Sequence, residues 1–528
     1  MTRVGKAAVL SSILAGTILA ASGCAVTKGT SVATAPAPVD WPARLAEADA
    51  LYMAGHYSAL REARRIYGEA LAALKSPPGL AEKYLRASLA FELRRRDLGV
   101  RSVLPMAGLD SLVTADPSLS GYAPWLEFLA ALPSKIKGSP GNEADGGRTI
   151  EARLDWVNAR AAVIDRELER SAATDDLAAA LRLALRSSFG YKFPEKLEAK
   201  AVIGAHPGSR LAAFEAAVAP AIDVDGLEAL LALEPAFHEA HYFLGEAALA
   251  GGKLLTAERL YLDAAKEIPE SLSVLISLAK VAFQMEETEA CLDWNEKALS
   301  LLPTYRDALL GKGLCLGALG RNDEALAVLG RLLELGTYYL GEAHYWRAWN
   351  FNDLGRYEEA RRSVESAKVF LVDVVDVHTL SGIIAYRQGR LDDAEKDLRH
   401  ALDLHSSESD AAYYLGRLYA DRKDWLNSGI YFAGAATSYE GKEQGLEEKI
   451  AEIEASEMAA DRKARQIAKK RAQIQAVQLT KATCQYNGAA GYHNAGSFER
   501  ALDLARLAAA HPAFAERAAE LIKIIQDR

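Results

Sequence analysis

The 528-residue chain is short of several things that would fix a function quickly. It has four cysteines, Cys24, Cys291, Cys315 and Cys484, far too few for a disulfide framework to hold up a chain of this size. Its 17 prolines and 39 glycines exclude a collagenous or low-complexity chain. It lacks a positive surplus: 62 Lys+Arg stand against 71 Asp+Glu, a net charge of -9, which gives no electrostatic reason to expect nucleic acid as a partner. HExxH, GxSxG and GxxxxGK[ST] are all missing, so metalloprotease, hydrolase and P-loop chemistries have no support, and no enzyme, cofactor or small-molecule substrate is expected. The nearest metal-like pattern, His238-Glu239-Ala240-His241, offers two histidines where a zinc site needs three or four protein ligands. What remains is ordinary globular composition, 50% hydrophobic and 25% charged.

The N-terminus carries an address. Arg3 and Lys6 precede an uncharged stretch from Ala7 to Gly23, at the short edge of what crosses a bilayer and ending in small residues, which is the layout of a secretory signal peptide. Ala21-Ser22-Gly23-Cys24 resembles a bacterial lipobox, with Ala21 where leucine is commonest. The resemblance implies a lipoprotein signal peptide over 1–23, cleavage before Cys24, and acylation of its thiol and new amino group. Ala25 and Val26 lack the aspartate associated with inner-membrane retention, so the resemblance further implies the outer membrane of a bacterial cell envelope, on the periplasmic side. Residues 24–40, rich in Ala, Thr and Pro, read as a lipidated tether able to reach about 50 Å. Loss of Arg3 and Lys6 takes the net charge from -9 to -11.

An internal repeat sets the architecture. Small residues recur at Ala257, Cys291, Ala325, Ala360, Ala394 and Ser428, spaced by 34 or 35, and a second series runs twelve positions upstream at Gly245, Ala279, Gly313, Ala348, Gly382 and Gly416. Small side chains at such a period mark the crossing of two helices within a hairpin. Each unit reads as two amphipathic segments around a polar turn, and Pro269 and Pro303 sit where a second helix should stop. The unit from His238, with Leu244, Gly245, Ala257, Tyr261, Ala264 and Pro269 in place, resembles the tetratricopeptide repeat. The resemblance implies an all-α fold, a right-handed α-solenoid of helix hairpins, with six repeats over 238–442. A closing repeat is expected over 481–528, from Ala489, Tyr492, Ala501, Ala505 and Ala508. Residues 41–133 read as a degenerate repeat-like region, where Ala63, Tyr67 and Ala70 keep the second-helix spacing. Residues 148–237 read as irregular helices beyond a turn-rich break at 134–147. Between 443 and 480, glutamates from Glu447 to Glu457 precede basic residues from Arg462 to Arg471, as in one projecting helix or a helical hairpin. Cys291 and Cys315 fall on neighbouring helices, and the sequence leaves their pairing open.

Function is then to be sought in a groove. In repeats of this kind, positions 2, 5, 9, 12 and 13 of each first helix line the concave face, which nominates Tyr242, Glu246, Phe283, Tyr345, Trp349, Asp353, Tyr386, Arg387, Tyr413 and Arg417 as partner-binding residues. Aromatic anchors such as Tyr345, Trp349, Tyr386 and Tyr413 suit protein interfaces. Over the groove positions of all six repeats, eight acids, Glu239, Glu246, Asp307, Glu342, Asp353, Asp376, Asp410 and Asp421, stand against three bases, Lys280, Arg387 and Arg417, which favours a basic peptide. The two-carboxylate clamp of chaperone-binding repeats lacks its asparagine at position 9. The resemblance implies a membrane-anchored periplasmic scaffold for envelope proteins or peptide segments, in envelope assembly, secretion, or pilus or polysaccharide export. A carbohydrate-binding envelope lipoprotein is the alternative.

Overall fold

The computed structural model describes residues 39–74, 77–100, 106–131, 160–188, 196–219, 221–336 and 339–527. Cys24, the signal segment, nearly all of the tether and the break at 134–147 lie outside the described residues. Among the described residues every regular element is helical, and the chain divides into two compact units, Met1–Gly311 and Lys312–Arg528.

The N-terminal unit opens with the hairpin Trp41–Ala54 and Tyr57–Ala73. Asp40 caps the first helix by accepting from the Ala43 backbone N–H. The turn is only Gly55 and His56, against three residues between later helix pairs, and this shortening puts the first helix out of phase with the repeat. Gly55 has φ +68°, and a Cβ there would lie 3.0 Å from the Leu211 backbone nitrogen, so glycine is required on both counts. Ala63, Tyr67 and Ala70 face inward against Ala48.

The helix Leu80–Asp97 is buried all round over its second half, charges included. Arg94 is fully buried, bonded to Glu215 at 2.9 Å and paired with Glu239 at 3.3 Å, and its guanidinium lies 3.5 Å from the Phe214 ring centroid. Such a cation survives burial only because carboxylates and a ring face replace its water. Short helices on both sides of 134–147, including Ala123–Ala131 and Asp176–Ser188, fill one apolar core with Leu89, Phe128, Leu168 and Leu181. Residues of 41–133 and of 148–237 thus share one apolar core.

The repeats follow as helix pairs. Repeat 1 is His238–Ala250 with Leu254–Glu267, and repeat 2 is Leu272–Gln284 with Thr288–Leu301. Repeat 3 is Arg306–Ala318 with Asn322–Glu334, and repeat 4 is Leu340–Asp353 with Tyr357–Phe370. Repeat 5 is Val375–Arg387 with Leu391–Leu404, and repeat 6 is Ser409–Asp421 with Trp425–Ala455. The small-residue series lie at the crossings. A Cβ added to Gly245, Gly313, Gly382 or Gly416 would come within 2.5 to 2.8 Å of Tyr261, Leu329, Leu398 or Phe432. Each hairpin turn holds one residue at positive φ, at Gly252, Glu286, Gly320, Gly355, Gly389 and Lys423, in step with the repeat.

The charged segment is no separate element. The second helix of repeat 6 runs on through the glutamates to Ala455, the chain turns at Ser456, and Ala460–Asn494 returns through the basic block into the closing repeat, completed by Phe498–Ala509 and Ala515–Gln526. This is the hairpin of the two options. Lys463 caps its first arm by donating to the Glu454 and Ser456 carbonyls, each at 2.8 Å. At its base Glu443 accepts from Gln478 at 2.6 Å and pairs with Lys481.

Candidate functional site

The nominated residues separate into three groups. In repeat 1, Tyr242 is half-buried with its ring 5.0 Å from Phe243 and 6.0 Å from Tyr261. Glu246 accepts from the Tyr261 hydroxyl at 2.6 Å and the Ser277 hydroxyl at 2.7 Å, so its carboxylate joins repeat 1 to repeat 2. Burial drives the Tyr242 hydroxyl well above the ordinary tyrosine range, as expected of packing. Phe283 is half-buried in repeat 2. In repeat 4, Tyr345 and Trp349 are half-buried against the core of Ala348, Val364 and Ile384, and Trp346 packs edge-on between them, 5.2 Å from Tyr345 and 6.2 Å from Trp349. Burial, then the charges of Asp376 and Glu408, raise the Tyr345 hydroxyl above its usual range.

The third group converges. A cleft of about 600 Å³ is lined by Tyr357 of repeat 4, Tyr386, Arg387 and Leu391 of repeat 5, and Tyr414, Arg417 and Asp421 of repeat 6. The Tyr386 and Tyr414 rings meet edge to face at 5.5 Å. The Arg417 guanidinium sits 5.0 Å from the Tyr386 centroid, 5.7 Å from Tyr414 and 5.9 Å from Tyr413. It makes no ion pair among the described residues, so ring faces hold its charge. Tyr386 donates to Asp421 Oδ2 at 2.7 Å; burial, then this bond, push its hydroxyl up to about 12. Arg387 donates to Asn352 Oδ1 at 3.0 Å and lies 5.9 Å from the Tyr357 centroid. Partial desolvation lifts the Asp353 carboxyl above its ordinary range, against the pull of Arg387.

The structure thus brings Tyr386, Arg387 and Arg417 together, with Tyr413 flanking Arg417. Tyr242, Glu246, Phe283, Tyr345 and Trp349 stay outside this cleft. Tyr357 and Tyr414 escaped the sequence reading because positions were counted on fixed offsets of first helices. Tyr357 opens a second helix, and Tyr414 is one residue past the counted position. Among the described residues no three His, Cys, Asp or Glu side chains gather as a metal site, and His238 and His241 simply stack at 6.1 Å.

The tetratricopeptide repeat family profile matches residues 226–271, 310–368 and 379–443. No curated protein matches the chain. Among solved structures it is similar to a thermophilic tetratricopeptide protein of Thermus thermophilus, at 22% identity over 33% of this chain and 94% of that one, TM-score 0.29. It is similar to YrrB, a tetratricopeptide protein with an unusual peptide-binding site, at 20% identity over 34% and 91%, TM-score 0.29. PilW, a widely conserved type IV pilus biogenesis factor, aligns at 16% identity over 38% and 91%, TM-score 0.36. With the 34-residue period, the helix pairs and the family profile in agreement, the chain carries tetratricopeptide repeats between residues 226 and 443 and folds as an all-α solenoid of such helix hairpins, a repeat type suited to protein–protein interaction.

Proposed function

We propose that this protein is a lipid-anchored scaffold on the periplasmic side of the outer membrane, which holds a segment of a partner protein in the cleft around Tyr386 and Arg417. The partner belongs to envelope assembly, secretion, or pilus or polysaccharide export. The observation that carries the reading is the cleft itself: three tyrosines and a guanidinium without an ion pair, shared by three successive repeats. Tyrosine and arginine are among the side chains that dominate interface energetics, where a partner completes their desolvation. The cleft's own charges bear on the ligand we propose. Asp421 is engaged by the Tyr386 hydroxyl, and Arg387 and Arg417 outnumber it, so the fitting segment presents hydrogen-bond acceptors and a flat apolar face instead of a basic chain.

Photo-crosslinking in the native cell from a reactive residue at Leu391, on the cleft wall, tests this. The expected result is one discrete protein adduct, identified by mass spectrometry and lost when Tyr386→Ala and Arg417→Gln are combined. Absence of any protein adduct in a folded, exported chain overturns the proposal, and retention of glycan polymer by the purified chain then supports the carbohydrate-binding alternative.

A further inference from the structure

The N-terminal unit holds a second cleft, of about 280 Å³, between the helices Tyr57–Ala73 and Leu80–Asp97 and the residues Glu270 and Leu301. Three arginines set its chemistry, and they differ in how far the protein satisfies them. Arg95 is buried and fully engaged, donating to Glu92 Oε2 at 2.8 and 3.0 Å and to the Val100 carbonyl. Arg61, on the exposed rim, pairs at 3.3 Å with Glu270, which also accepts from the Tyr57 hydroxyl at 2.9 Å. Arg64 is left over. Its guanidinium lies 4.8 Å from the Phe91 centroid and makes no hydrogen bond or ion pair with any described residue. Arg64 is half-buried, and burial pulls it below the ordinary arginine range against the opposing pull of Tyr84 and Glu92, so a partly desolvated cation lines the cleft with no acceptor bonded to it.

A guanidinium has five donors in a fixed fork, and desolvating it against a ring prepares it for a planar anion. The Tyr57 and Phe91 rings stack at 5.3 Å and carry Arg61 and Arg64 on their faces, which fixes both guanidiniums at the mouth of the cleft. Charge then selects among anions. Three arginines against Glu92 and Glu270 leave one positive charge, which a carboxylate neutralises and a phosphate dianion overshoots. Leu301 is also shared with a larger and mainly apolar groove of about 650 Å³, where Leu262, Leu275 and Trp294 are lining residues and Lys297 lies 3.8 Å from the Trp294 centroid. An anion in the arginine cleft would therefore have apolar surface immediately beside it.

We propose that this cleft binds an acidic side chain of a partner polypeptide, with Arg64 as its principal donor and with the apolar neighbours of that acid lying in the groove at Trp294. This contact is additional to the tyrosine cleft and does not depend on it. The test measures fluorescence anisotropy of the full chain with a short labelled peptide alternating glutamate with leucine, and with its glutamine counterpart, at physiological salt. The glutamate peptide is expected to bind about tenfold more tightly, the effect of one hydrogen-bonded charge. Arg64→Gln should erase that preference, Arg64→Lys should keep part of it, and Arg61→Gln, a change at an exposed side chain, should weaken it independently. Circular dichroism melts establish that each variant is folded.

Equal affinity for the two peptides overturns the proposal, as does an unchanged preference in a folded Arg64→Gln chain. Loss of the preference in Arg417→Gln, but not in Arg64→Gln, assigns the binding to the tyrosine cleft and overturns it too. Displacement of the glutamate peptide by inorganic phosphate at lower concentration than by acetate marks a phosphate site instead of a carboxylate site, and is the remaining contrary result.

Discussion

Gly382 and Gly330 are both helical glycines, yet their surroundings ask for opposite things. A Cβ on Gly382 would lie 2.5 Å from Leu398 Cγ and 3.2 Å from the Leu398 backbone nitrogen, whereas one on Gly330 would meet nothing within 4 Å. Gly382→Ala is expected to destabilise by about 1–3 kcal/mol through overpacking, and Gly330→Ala to stabilise by about 0.5–1 kcal/mol through helix propensity. Urea midpoints of the two variants against the wild type check both signs. A second residue-scale consequence lies at Glu239, whose Oε1 accepts from the Tyr57 backbone N–H at 2.8 Å and faces Arg94. Burial raises its carboxyl to about 7 from an ordinary value near 4.5, with the Arg94 charge and the backbone bond opposing. The folded chain therefore binds this proton more readily than the unfolded one. The stability it contributes is complete below the ordinary glutamate range and is lost as pH rises through about 7. Wild type should lose on the order of 1–3 kcal/mol relative to Glu239→Gln between roughly pH 5 and roughly pH 8, and parallel pH curves for the two chains would exclude the titration.

The hairpin turns show what a period can and cannot announce. Each of the six needs one residue in the left-handed region, and four use glycine, but Glu286 and Lys423 occupy the same place at φ 58° and 60°. A side chain in that conformation costs about 1 kcal/mol, so Lys423→Gly is expected to raise stability by about 0.5–1 kcal/mol, with a higher melting temperature by circular dichroism as the check. If the melting temperature falls, Lys423 makes contacts that outweigh its backbone strain. The crossings were legible because a larger side chain cannot fit between two axes, so every repeat must repeat the small residue there. The N-terminal helices were less so: Gly55 and His56 shorten the first turn, and in the second half of Leu80–Asp97 the apolar stripe gives way to buried ion pairs such as Arg94–Glu215. Hydropathy cannot see a buried charge whose partner is more than a hundred residues away. The charge blocks after Glu447 leave both a helix and a hairpin open, since acids before bases suit the dipole of one continuous helix while opposite blocks can pair across a hairpin. The choice is made by the turn at Ser456 and the Lys463 cap.

For the molecule as a whole, the candidate cleft was legible only in part, because counting groove positions treats every repeat alike while tertiary packing does not. Tyr345 and Trp349 pack with Trp346 against the core of repeat 4, and Glu246 is spent between two repeats, whereas Tyr386, Arg387 and Arg417 meet Tyr357 and Tyr414 around open space. The proposed anchor yields the remaining prediction. Among the described residues no helix is long and apolar enough to cross a membrane. The chain is acidic, at -9 and at -11 once Arg3 and Lys6 are removed, so an anionic lipid surface repels it overall. The acyl groups proposed on Cys24, at about 0.8 kcal/mol per buried methylene, would hold firmly when several chains act together. Wild-type protein is accordingly expected to stay in the membrane fraction through high-salt and alkaline washes and to incorporate radioactive palmitate, while Cys24→Ser moves to the soluble fraction unlabelled. Release of the wild type by salt alone would show a screened electrostatic contact and sink the lipid anchor. Retention of the Cys24→Ser chain after alkaline washing would do the same, by showing that something other than this thiol holds it.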